Sequence, residues 1–115
     1  MSKAVQTFLR QLRPPRGLAA WGARLPDRTM ATHCYSDWFK PAQVEQVMSR
    51  LLQAAEGLHT HGIHSPRLCW VFDRARIFLV LRPDAACLAL FVENRPEIEM
   101  PALERVLGNF SALKV

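Results

Sequence analysis

Arg67-Leu68-Cys69-Trp70-Val71-Phe72-Asp73-Arg74-Ala75-Arg76-Ile77-Phe78-Leu79-Val80-Leu81-Arg82-Pro83-Asp84-Ala85-Ala86-Cys87-Leu88-Ala89-Leu90-Phe91-Val92-Glu93 is the stretch whose reading decides the fold. It divides into three apolar runs, Arg67 to Asp73, Arg76 to Arg82 and Ala86 to Glu93, each of strand length. The separators, Asp73-Arg74-Ala75-Arg76 and Arg82-Pro83-Asp84-Ala85, are short enough for hairpins, so the runs are sequential antiparallel neighbours in a meander. Side chains alternate along a strand. Leu68, Trp70 and Phe72 therefore fall on one face of the first run, Cys69 and Val71 fall on the other, and Ile77 to Leu81 is apolar throughout. A sheet apolar on both faces needs a layer on each.

Upstream, Val44, Val47, Met48, Leu51, Leu52, Ala55 and Leu58 recur every three or four residues, and Gln43, Gln46, Ser49, Arg50, Gln53 and Glu56 fill the other face. The spacing predicts a helix from Pro41 to about Leu58, ending between Gly57 and Gly62. Further out lie two strands, Leu18 to Leu25 and Thr29 to Tyr35, joined by the turn Pro26-Asp27-Arg28. Before them, residues 2 to 13 carry Val5, Phe8, Leu9 and Leu12 at helical spacing until Pro14-Pro15 stops the ladder. Beyond the meander, Leu103, Val106, Leu107 and Phe110 mark a last helix from near Pro101. The expected fold is of α+β class, a three-layer α/β/α sandwich with a five-stranded antiparallel sheet and element order α-ββ-α-βββ-α. The central helix covers one face and the two terminal helices cover the other.

At 115 residues and 50% hydrophobic, the chain suits one domain, 1–115, with a single core. Its longest apolar run, Ala85 to Val92, is far short of a membrane span, and Lys3, Gln6, Arg10 and Arg13 interrupt any secretory signal. Three cysteines, Cys34, Cys69 and Cys87, without a C-x-x-C spacing suit a reducing cytoplasm, each as a small core residue. The net charge of +5 is local: residues 1 to 28 carry six basic side chains against Asp27 alone, while the rest balances nine against nine. The body is neutral, and the basic residues belong to an N-terminal helix and arm, 1–16. Nucleic acid is therefore not the expected partner.

Candidate chemistry is sparse. His59, His61 and His64, with His33-Cys34 elsewhere, are good ligand types for zinc or copper, but their spacing fits no zinc motif; the plainer reading is a solvated helix C-terminus. Glu97 and Glu99 sit where they favour the positive end of the last helix. Trp21, Trp38 and Trp70 are not interleaved with the arginines, so packing explains them better than base stacking. His33 and Thr32 are the obvious polar groups for a small-ligand pocket. No G-x-S-x-G, H-E-x-x-H or phosphate loop is present. The expectation is a non-enzyme without metal or cofactor.

Taken together, the basic first helix, Gly17-Leu18-Ala19-Ala20, Pro26-Asp27-Arg28, Leu51-Leu52-Gln53-Ala54-Ala55, Ile77-Phe78-Leu79-Val80 and Leu88-Ala89-Leu90-Phe91-Val92 resemble the Roadblock family of dynein-light-chain-type domains. Arg28 stands where many members have glycine. The resemblance implies a profilin-like sheet with the meander at one edge and the first hairpin at the other. It further implies a dimer that binds a Ras-like small GTPase, a related NTPase or a motor-type complex. Independently of the resemblance, an edge strand apolar on both faces invites a symmetric partner. Leu68, Trp70, Phe72, Ser49 and Gln53 are thus the expected homodimer interface; Gln43, Gln46, Arg50, Arg10, Arg13 and Arg16 are the expected partner-binding residues. The alternatives are a profilin-like small-ligand sensor and a secretion-type chaperone.

Overall fold

The computed structural model describes residues 3–94 and 97–113. Ser2, where the spacing begins the first helix, and the basic residues Arg95 and Lys114 lie outside them. The elements are α1 (Lys3–Gln11), β1 (Leu18–Arg24), β2 (Met30–Cys34), α2 (Pro41–Thr60), β3 (Arg67–Val71), β4 (Ala75–Leu81), β5 (Cys87–Glu93) and α3 (Met100–Ser111). All five strands form one antiparallel sheet in the order β2-β1-β5-β4-β3, the expected α+β architecture. No helix among the described residues is long and apolar enough to cross a membrane.

Alternation along the strands feeds two cores. Cys87, Ala89 and Phe91 of β5 and Ile77 and Leu79 of β4 face Val44, Met48, Leu51, Leu52 and Ala55 of α2. Leu88, Leu90 and Val92 face Val5 and Leu9 of α1 and Leu103, Leu107 and Phe110 of α3. A bulge between Leu18 and Ala20 shifts the β1 register and lets Leu18 share a face with Trp21. Trp21 fills the α1/α3 side and donates its indole N–H to the Tyr35 hydroxyl at 3.1 Å. Each large side chain so buried contributes about 1.5–3 kcal/mol, well above the tenths of a kcal/mol that separate helix propensities.

Helix ends differ from the spacing by a residue or two, for local reasons. α1 stops at Gln11 because Pro14 disfavours helical geometry in the residue before it. α2 runs to Thr60 and closes in a Schellman motif: Gly62, at φ +81°, donates to His59 O at 3.0 Å, and Ile63 donates to Leu58 O at 2.8 Å. β3 ends at Val71 rather than Asp73, since Phe72 N–H donates to Ala75 O and closes a tight hairpin whose Phe72 and Asp73 carbonyls accept from the Asn94 side chain. Two-sided cover holds across β1, β5 and β4 and fails at the edge: Leu68 and Trp70 pack on the α2 side, but Cys69 and Val71 are exposed.

Candidate functional site

β3 is the open edge beside the three-strand meander, and exposed apolar side chains gather around it. Val71 is 68% exposed and Phe72 51%; across a groove stands Trp38 at 50%, and Ile63, at 55%, lies on the lead-in to the strand. The groove has a volume of about 530 Å³ and is lined by Trp38, Phe39, Val47, Phe72, Ile77 and Phe91, with Arg74 at its rim. Phe39 meets Phe91 edge-on at 5.2 Å, which ties its floor to the core. Trp38 therefore belongs to a surface and not to the core. Its exposure follows from its place in the β2–α2 connection, which carries no periodicity to betray it.

Among the expected interface residues, Leu68, Trp70 and Phe72 come together on the α2 side of β3. Val47 and Leu58 of α2 line grooves with β3 residues; helical spacing puts Gln43, Arg50 and Ala54 on that same flank. Ser49 falls with Glu45 and Glu56 on the opposite flank, and its hydroxyl donates to Glu45 O at 3.0 Å. Gln46 and Gln53 occupy the exposed crest between the flanks. Gln43 already has a structural task, because its side-chain oxygen accepts from the Lys40 backbone N–H at 3.0 Å in the first turn of α2.

The basic residues lie elsewhere. Arg10 sits on α1, on the sheet face opposite α2, beside a shallow groove of about 320 Å³ with Gln6, Leu9, Trp21, Leu25 and Ala31. Arg13 and Arg16 follow in the exposed arm. Arg16 is fixed by its main chain: its N–H donates to Glu99 Oε1 at 2.8 Å, and its carbonyl accepts from Glu99 N–H at 3.0 Å. Glu99 thus spends a carboxylate oxygen on the arm and makes no side-chain cap to α3, while standing at the N-cap position beside the helix's positive end. The six expected partner-binding residues divide between two faces and cannot act as one patch on a single protomer.

Other candidates resolve into structure. The Nδ1 atoms of His59 and His64 lie 2.6 Å apart, one ring donating to the other, and no group of three or more metal-type side chains occurs among the described residues. His33 is exposed and stacks over Trp21, Thr32 is half-buried, and no polar or charged residue is buried among the described residues. Of the cysteines only Cys87 is a core residue, its thiol pushed up to about 11 by burial. Cys34 is half-buried and Cys69 exposed at the sheet edge, so the core expectation fails for Cys69.

No family model and no curated protein matches the sequence. Solved structures do match by shape. A Roadblock/LC7 domain from Streptomyces avermitilis is 13% identical with a TM-score of 0.62, over 96% of this chain and 91% of that one. The gliding protein MglB from Thermus thermophilus is 11% identical with a TM-score of 0.68, over 96% and 84%. MglC from Myxococcus xanthus is 18% identical with a TM-score of 0.56, over 96% and 94%. The likeness extends over nearly the whole of each chain, so this protein shares the fold of Roadblock/LC7-type domains.

Proposed function

We propose that this chain is a non-enzymatic regulatory scaffold of the cytoplasm that forms a homodimer at β3 and presents the crest of α2 to a Ras-like GTPase or related NTPase. The observation that carries the reading is the open β3 edge, with Val71 and Phe72 exposed beside an apolar groove. Such an edge is a liability for a lone domain and an asset for one that pairs. The Roadblock/LC7-type fold supports the same reading, since Roadblock-like domains dimerise and bind small GTPases. The crest offers Gln46 and Gln53, with Arg50 beside them at the edge of the β3 flank, exposed polar groups suited to a reversible contact. A small-ligand sensor is less well supported, because the groove holds apolar side chains and one rim arginine, without buried polar groups to fix a ligand.

The test is capture from native cells on immobilised protein, with GTP analogue or GDP added. A protein carrying a phosphate-binding loop should be enriched in one nucleotide state and lost with Gln46→Glu/Arg50→Glu. Capture indifferent to both nucleotide and substitution would overturn the reading.

A further inference from the structure

We infer that the groove between α1 and β2 docks an acidic amphipathic helix of another protein, on a surface independent of β3 and of the α2 crest. The helical layer on this sheet face stops short of its edge. α1 and α3 bury Leu88, Leu90 and Val92 of β5 and Trp21 of β1. On β2, by contrast, Ala31 is only half-buried and His33 is exposed, stacked with Trp21 at a ring-centroid distance of 6.1 Å. What remains is a trough of about 320 Å³ with Trp21, Leu25 and Ala31 as its floor and Gln6, Leu9 and Arg10 of α1 as its wall. A helix laid there beside α1 would extend the layer over β2, as α1 and α3 already cover β5 and β4.

Charge selects the occupant. Lys3, Gln6, Arg10 and Arg13 recur at intervals of three and four, so the first three share a stripe along α1 and Arg13 follows in the exposed arm. Residues 3–26 contain no acidic side chain at all. Arg10 and Arg13 have no ion-pair partner among the described residues, whose pairs are Arg67 with Glu104 and Arg82 with Asp84. Two acids border the segment and both are engaged. Asp27 accepts from the Thr29 N–H and hydroxyl at 3.0 and 2.6 Å, and Glu99 accepts from Arg16 N–H at 2.8 Å. A helix with apolar residues every three or four positions would seat them on Trp21 and Leu25. Glutamates flanking that stripe would meet Arg10 and Arg13, as e and g charges do between coiled helices. An anionic membrane fits less well, because the apolar groups here form a concave floor and not a protruding face.

The test uses two fluorescein-labelled three-heptad peptides with leucine at positions a and d and alanine or glutamine at b, c and f; one carries glutamate at e and g, the other lysine. Anisotropy should show the full chain binding the glutamate peptide about tenfold more tightly than the lysine peptide. Arg10→Glu/Arg13→Glu, both at exposed positions, should invert that preference, and added salt should weaken the wild-type complex. The crest variant Gln46→Glu/Arg50→Glu should leave peptide binding unchanged, which separates this site from the crest. In amide NMR spectra the glutamate peptide should shift the Trp21 indole N–H and the Ala31 and His33 amides and leave Val71 and Phe72 in place. Equal binding of the two peptides, binding of neither, or shifts centred on Phe72 would overturn the inference. So would a peptide preference untouched by Arg10→Glu/Arg13→Glu when the same substitutions abolish co-sedimentation with phosphatidylserine vesicles, an outcome that assigns the arginines to a membrane.

Discussion

Arg82 holds the C-terminus of α3 to the sheet. Its guanidinium donates to both Asp84 carboxylate oxygens at 3.1–3.3 Å, to Phe110 O at 2.5 Å and to Leu113 O at 2.8 Å, and lies 5.6 Å over the Phe110 ring. With only 7% of the side chain exposed, Arg82→Ala strands a carboxylate and several carbonyls, and should cost about 3 kcal/mol by urea denaturation. The Arg82 donors and the Ala86 N–H also hold the Asp84 carboxyl below its ordinary 3.8. A lowered folded-state value stabilises above the unfolded pKa and is lost as pH falls through the folded one, so Asp84→Asn should flatten the acid limb of the stability profile below about pH 4. Among the described residues, two hold left-handed backbone without being glycine, Arg28 at φ +71° and Ala85 at φ +74°. Ala85→Gly should stabilise by about 0.5–1 kcal/mol, read as a rise in melting temperature. The family pattern already marks position 28 as a glycine site; nothing in Pro83-Asp84-Ala85 marks the second.

Element scale explains what can be read from the chain and what cannot. Helical and alternating spacing is a local property, so α2, the meander and both covering layers follow from residues such as Val44, Met48 and Leu51 or Ile77 and Leu79. Arg82's hold on α3 spans 28 to 31 positions and leaves no local trace. The same is true of Gly22: a Cβ there would meet Met48 Sδ at 2.8 Å and Val44 Cγ1 at 3.1 Å, because α2 lies close on β1 at that point. Gly22→Ala should cost about 1–3 kcal/mol by overpacking, measured by thermal melting. At the site, spacing locates Leu68, Trp70 and Phe72 on one face but does not tell which flank of α2 lies toward β3. Spacing therefore groups Ser49 with them, although it sits across the helix. Thiol chemistry reads the strand positions directly: exposed Cys69 should react with a maleimide first, Cys34 later, and buried Cys87, raised to about 11, only on unfolding.

At the scale of the whole molecule, the two sheet faces do different work. The α1/α3 face holds Arg10 with the Arg13 and Arg16 arm, and the α2 face holds the crest and the groove. Association at β3 would continue the sheet across two copies and set both crests on one side, so the surface offered to a partner is doubled only in the dimer. Arg10, Arg13 and Arg16 thus lie away from the crest, whereas Arg24 of the same basic segment lines a groove with α2. The most direct measurement is sedimentation equilibrium at micromolar concentration. Wild type should show twice the 13.1 kDa chain mass, and Val71→Lys, a charge placed on the pairing edge, should return it to the chain mass. A wild-type mass of 13.1 kDa, or a dimer indifferent to Val71→Lys, would contradict pairing at β3.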